Sequence, residues 1–152
     1  DLHFIMALSH SGRMSAAKEI VVSMKEFVAA NDGEEQSAVD VYKDVGIPVG
    51  EAIIAHAEGN YERTVEIMSS ARYRMVPLGG SWAQRDVWVR MLIDAAVRGE
   101  WHAYARALLA ERITDCPTSG PAWNMYADTL AACDEMLEAE SARTRSAKLL
   151  SA

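Results

Sequence analysis

Residues Val87–Gly99 read VWVRMLIDAAVRG, and their pattern decides the fold. Trp88, Met91, Leu92, Ala95 and Ala96 fall at i, i+3, i+4, i+7 and i+8, an apolar stripe on one face of an α-helix. On another face Asp86, Arg90, Asp94 and Arg98 recur every fourth residue with alternating sign, and each such pair supports an exposed helix by about 0.2–0.5 kcal/mol. Gly99 ends the pattern. No stretch of the chain alternates with period two over a strand's length, so the expected class is all-α.

The same periodicity extends in both directions. Upstream, Phe4, Ile5 and Leu8 mark a helix that stops near Ser11-Gly12. Ala17, Ile20, Val21, Met24, Phe27 and Val28 give the next one its face, and Asn31-Asp32-Gly33 breaks it. Helix resumes near Ser37 with a bend at Gly46-Ile47-Pro48, because proline disfavours helical geometry in the residue before it. It runs to Glu58-Gly59-Asn60. Tyr61, Val65, Met68 and Met75 line a further helix, expected to last until Gly79-Gly80. Downstream, Trp101, Tyr104, Ala105, Leu108, Leu109 and Ile113 repeat the spacing up to Cys116-Pro117. A helix from Pro121 carries Trp123, Tyr126, Ala127 and Leu130, and a last one starts near Glu135, with acids early and bases late to complement its dipole.

Between Met75 and the Trp88 stripe lies Gly79-Gly80-Ser81-Trp82-Ala83-Gln84. Ser81 and Gln84 have the spacing of a capping box, in which the serine oxygen accepts from the Gln84 amide and the glutamine accepts from the Ser81 amide. A glycine before it suits the left-handed turn that ends a helix. A phosphate cradle would need GxxxxGK[ST], or GxGxxG after a strand, and neither is present.

The whole chain, 152 residues with 50% hydrophobic and 24% charged content, suits one globular domain over residues 1–152. A net charge of −7 argues against nucleic-acid backbones and anionic membranes as partners. Cys116 and Cys133 lack zinc-site spacing and make no disulfide framework, which fits a reducing, cytoplasmic setting. No apolar run approaches the roughly 20 residues of a membrane span. The chain opens at Asp1, already inside a helical pattern, and reads as a C-terminal piece of a longer protein.

Turn residues at Gly12, Gly59, Gly99 and Asp134 each separate two amphipathic helices, and their spacing shrinks from 47 through 40 to 35 residues. The last value approaches the roughly 34 of a tetratricopeptide repeat. Trp123-x2-Tyr126-Ala127-x2-Leu130 resembles the W-x2-L-G-x2-Y signature, and Ala105-x3-Leu109 followed by Pro117 resembles A-x3-F…P. The phrases DLHFIMAL, GNYERTVEIM, RYRMVPLGGSWAQRDVW and ARALLAER resemble the C-terminal part of the tetratricopeptide repeat protein 38-like family, over most of Asp1 to Pro117. That resemblance implies an α-solenoid of about four stacked antiparallel hairpins in a right-handed superhelix, an interaction role and no assigned reaction.

In such a solenoid the first helix of each hairpin lines a concave groove. Register places Arg90, Asp94 and Arg98 there, with Asn124 and Asp128 from the next repeat and His56 nearby, to meet a protein or peptide partner. Arg72 and Arg74, with Arg85, form a basic spot suited to a carboxylate, either a partner's or the chain's own. His3, His10, His56 and His102 are scattered over different helices without HExxH or cysteine spacing, so neither a metal nor another cofactor is expected. GxSxG is missing and no carboxylate pair stands out, so no catalytic residue is assigned. The alternatives to a binding module are a structural or homo-oligomerising domain and an accessory part of an enzyme whose catalytic groups lie elsewhere in the parent chain.

Overall fold

The computed structural model describes residues 1–31, 33 and 37–151. It is all-helical, with no strand among those residues. In order come α1 (Leu2–His10), α2 (Met14–Ala30), α3 (Ser37–Val41), a π-helical turn (Tyr42–Gly46), α4 (Ile47–Ala57), α5 (Tyr61–Ala71), short 3-10 turns at Arg72–Arg74 and Val76–Leu78, α6 (Trp82–Arg98), α7 (His102–Asp115), α8 (Gly120–Ala132) and α9 (Met136–Leu150). Of the Asn31-Asp32-Gly33 breaker, Asp32 lies outside the described residues.

Four of the turns share one geometry. At Gly12, Gly59, Glu100 and Asp134 the backbone is left-handed, with φ of 79°, 77°, 60° and 62°. In each, the next residue's amide donates to the carbonyl five positions back: Arg13 to Leu8, Asn60 to Ala55, Trp101 to Ala96, Glu135 to Leu130. These bonds satisfy helix-end carbonyls that would otherwise lack partners. Four residues beyond each of these second turn residues stands a fully buried small side chain, namely Ala17, Thr64, Ala105 and Ala139. Small side chains suit these positions, where the two arms of the hairpin approach closely.

Two boundaries differ from the sequence expectation. The left-handed position of the third turn falls on Glu100, not on Gly99, and Trp101 behind it is exposed. The helix expected to continue to Gly79 stops at Ala71 and gives way to the two 3-10 turns. Pro77 explains this: it lacks an amide hydrogen and its ring would collide with the carbonyl of Tyr73 in a continuing α-helix. Pro48 has a milder effect, because the chain widens before it, and the Ile47 amide donates to the Tyr42 carbonyl five residues back. The helix runs through with a π-turn where a bend was expected.

The fold divides within α6 into two compact units, Asp1–Ala95 and Ala96–Ala152. In the first, α1 packs on α2 and α4, α2 on α4, and α4 on α5. Ile5, Val21, Met24, Val49, Ile53 and Met68 fill its core. Gly50 is where α4 meets the other two most closely, since a β-carbon there would lie 3.1 Å from Ile5 Cδ1 and 3.2 Å from Val21 Cγ2. Thr64 ties α5 to α4, its hydroxyl donating to the carbonyls of Asn60 (3.0 Å) and Ala52 (3.4 Å).

In the second unit α8 packs against both α7 and α9. Ala127, Leu130, Ala139 and Ala142 form a small core, flanked by half-buried Trp123 and Tyr126. The buried Ser146 hydroxyl donates to the Gly120 carbonyl at 2.8 Å and ties the end of α9 to the start of α8.

Candidate functional site

The first unit contains an open cleft of roughly 540 Å3, a volume in the range of small-ligand sites. One side is the turn before α6 and that helix's first turns: Pro77, Leu78, Gly79, Gly80, Gln84, Arg85 and Trp88. The facing wall comes from α1 and from the segment of α3 and the π-turn, through Asp1, Leu2, His3, Ala38, Val41 and Tyr42.

Local chemistry builds the α6 side. The capping box forms as the sequence spacing requires: the Gln84 amide donates to Ser81 Oγ at 3.3 Å, and the Ser81 amide donates to Gln84 Oε1 at 2.7 Å. Gly79 and Gly80 both adopt left-handed φ, 71° and 75°. Their carbonyls turn toward Arg85, whose Nη1 donates to both. The guanidinium therefore serves its own turn first, and does so with one of its nitrogens. On the other wall the Tyr42 hydroxyl donates to Asp1 Oδ2 at 2.5 Å, and the His3 ring lies 5.0 Å from that of buried Trp88. The cleft thus offers an aromatic and aliphatic floor, a cation at one side and an already bonded carboxylate at the other.

The residues singled out from the sequence fall into separate groups. His56 and Asp94 meet within the first unit, Nε2 to Oδ2 at 2.8 Å, joining α4 to α6. Tyr61 approaches the His56 ring edge-on at 5.5 Å and His10 lies 5.9 Å away. The other nitrogen, Nδ1, is buried with no hydrogen-bond partner among the described residues. A general base must offer its free nitrogen to substrate. Here that nitrogen is sealed, so the pair ties two helices together. Arg90 is exposed on α6.

In the second unit Asn124 Nδ2 donates to Asp128 Oδ2 at 3.2 Å, and Arg143 Nη2 donates to Asp128 Oδ1 at 3.1 Å. Arg98 is exposed. Of the basic spot, Arg72 stacks over the Tyr73 ring at 4.7 Å, Arg74 is exposed, and only Arg85 reaches the cleft. Asp1 and Tyr42 were not among the candidates and His3 was set aside as a metal ligand; spacing could not have joined them, because Asp1 and His3 stand at the start of α1 and Tyr42 in the π-turn. His10 and His56 were read as scattered over different helices, and the structure brings their rings to 5.9 Å.

Among the described residues no group of three or more His, Cys, Asp or Glu side chains is arranged to hold a metal ion, and no helix is long and apolar enough to cross a membrane. The chain matches no protein-family model and no solved structure.

Proposed function

We propose that the chain is a helical-repeat interaction module of the tetratricopeptide kind, an α-solenoid of about four hairpins that works by binding a protein or peptide in the cytoplasm. The observation that carries this reading is the fourfold turn, left-handed at Gly12, Gly59, Glu100 and Asp134, with a buried small residue at a fixed distance behind each. Such recurrence is expected of stacked units that each bury a face on the next. It agrees with the resemblance to the tetratricopeptide repeat protein 38-like family. In this reading the first helix of a hairpin supplies the binding face, with exposed Arg90 on α6 and exposed Asn124 on α8 as first contacts.

The test compares proteins co-purified with the intact chain and with Arg90→Glu and Asn124→Ala variants whose melting is unchanged. Loss of the same partners from both variants supports the reading. Identical profiles from all three overturn the binding-face assignment.

A second reading, a self-associating structural domain, is favoured by Met136, Leu137 and Leu150, large apolar side chains left exposed on α9. Open ends of helical repeats carry such residues when another chain covers them.

A further inference from the structure

The segment before α6 combines charge and apolar exposure in a way the repeat does not require. Residues 67–85 contain no Asp or Glu but three arginines, in a chain whose net charge is −7. Within that run Tyr73, Val76 and Trp82 are 76%, 72% and 61% exposed. Between them Pro77 and Leu78 line the cleft, and Arg85 forms part of its wall. Arg85 and Trp88 line the cleft itself, and arginine with tryptophan in a concave site is a composition found at interface centres.

The complementary chemistry exists elsewhere on this chain. At the start of α9, residues 134–140 read DEMLEAE, four acids in seven residues with no base. Leu137 there is 85% exposed, beside exposed Met136, with exposed Asp134 and Glu138 on either side.

We propose that the cleft receives the first turn of α9 from a second copy of this chain. Leu137 enters between Leu78 and Trp88, while Glu138 meets Arg74 and Arg85. The Asp1 carboxylate, which accepts from the Tyr42 hydroxyl, belongs to the wall that faces Arg85. A concave site favours this occupant over an anionic bilayer, which needs apolar residues on a protruding edge. The contact joins two different patches, so it is either made twice in a two-fold pair or repeated from copy to copy in an open chain. It involves none of the residues assigned to the binding face of the repeat, so the two proposals fail separately.

Sedimentation velocity of the whole 152-residue chain, over a series of rising concentrations at low salt, tests the inference. The sedimentation coefficient is expected to rise with concentration and to fall back in high salt. Arg74→Glu and Leu137→Asp change exposed side chains, and each is expected to weaken association by about tenfold or more. Mixing the two variants restores one intact contact, from the unaltered cleft of one to the unaltered α9 of the other, and gives a 1:1 pair that grows no further. A concentration-independent coefficient overturns the inference, as does association that either variant leaves intact or that mixing fails to restore. A chain that stays monomeric but co-sediments with phosphatidylserine vesicles overturns it in favour of a membrane contact.

Discussion

His56 Nε2 lies 2.8 Å from Asp94 Oδ2, a bond between α4 and α6 across 38 residues of sequence. The carboxylate can only accept, so Nε2 carries a hydrogen and donates it. An asparagine carbonyl in the same place would still accept, with a weaker bond than the carboxylate makes. Asp94→Asn is therefore expected to hold stability within about 0.5 kcal/mol, while Asp94→Ala loses about 1 kcal/mol. Urea unfolding midpoints at neutral pH measure both. Equal losses from Asn and Ala would mean that the charge matters and the hydrogen bond does not.

The capping box at Ser81 and Gln84 closes the first turn of α6 through two reciprocal bonds. Ser81→Ala is expected to cost about 1 kcal/mol. Since each side chain serves the other's amide, the double change with Gln84→Ala should cost less than the sum of the singles. A double-mutant cycle with no coupling would show that the two halves act independently.

The capping box was legible in the sequence because every atom in it lies within four residues. The same holds for α6 itself, whose Trp88, Met91, Leu92, Ala95 and Ala96 stripe is buried throughout. Where the reading slipped, a single residue set the balance. Gly99 looked like the turn residue, yet the bonds to Ala96 and Val97 place the left-handed position on Glu100. Pro77 cut short a helix whose apolar spacing, through Met75, ran on past Ala71. The cleft was not legible at all, since Asp1, Tyr42 and Arg85 meet only once α1, the π-turn and α6 are in place. Arg85 was noticed for its charge, but its bonds to the two glycine carbonyls depend on left-handed φ values that sequence only permits.

Gly50 sets how closely α4 sits on α1 and α2. Alanine there gains about 1 kcal/mol of helix propensity but brings its β-carbon against Ile5 Cδ1 and Val21 Cγ2, tips that can shift by a few tenths of an ångström. Leucine has no such remedy. Gly50→Leu is expected to destabilise by about 3 kcal/mol through overpacking, read as a fall in the denaturant midpoint. A leucine variant as stable as the native chain would show that α4 can move away from its neighbours without loss.

Glu100 and Asp134 hold left-handed backbone where Gly12 and Gly59 hold the same conformation without strain. A side chain in that region costs about 1–2 kcal/mol. Glycine relieves it but gives up about 0.5–1 kcal/mol more backbone entropy on folding. The net gain expected for Glu100→Gly, and separately for Asp134→Gly, is about 0.5–1 kcal/mol, a rise of about 1–4 °C in melting temperature for a chain of this length. Among the described residues neither side chain has a hydrogen bond or ion pair to lose, and both are exposed. Gly59→Ala supplies the mirror experiment, since a β-carbon there meets nothing within 4 Å and only the φ of 77° resists it. It should lower stability by about 1 kcal/mol. Differential scanning calorimetry of the three variants decides the matter. If the glycines fail to stabilise while Gly59→Ala destabilises, the four turns are not energetically equivalent, and the regularity that supports the repeat reading would be one of shape only.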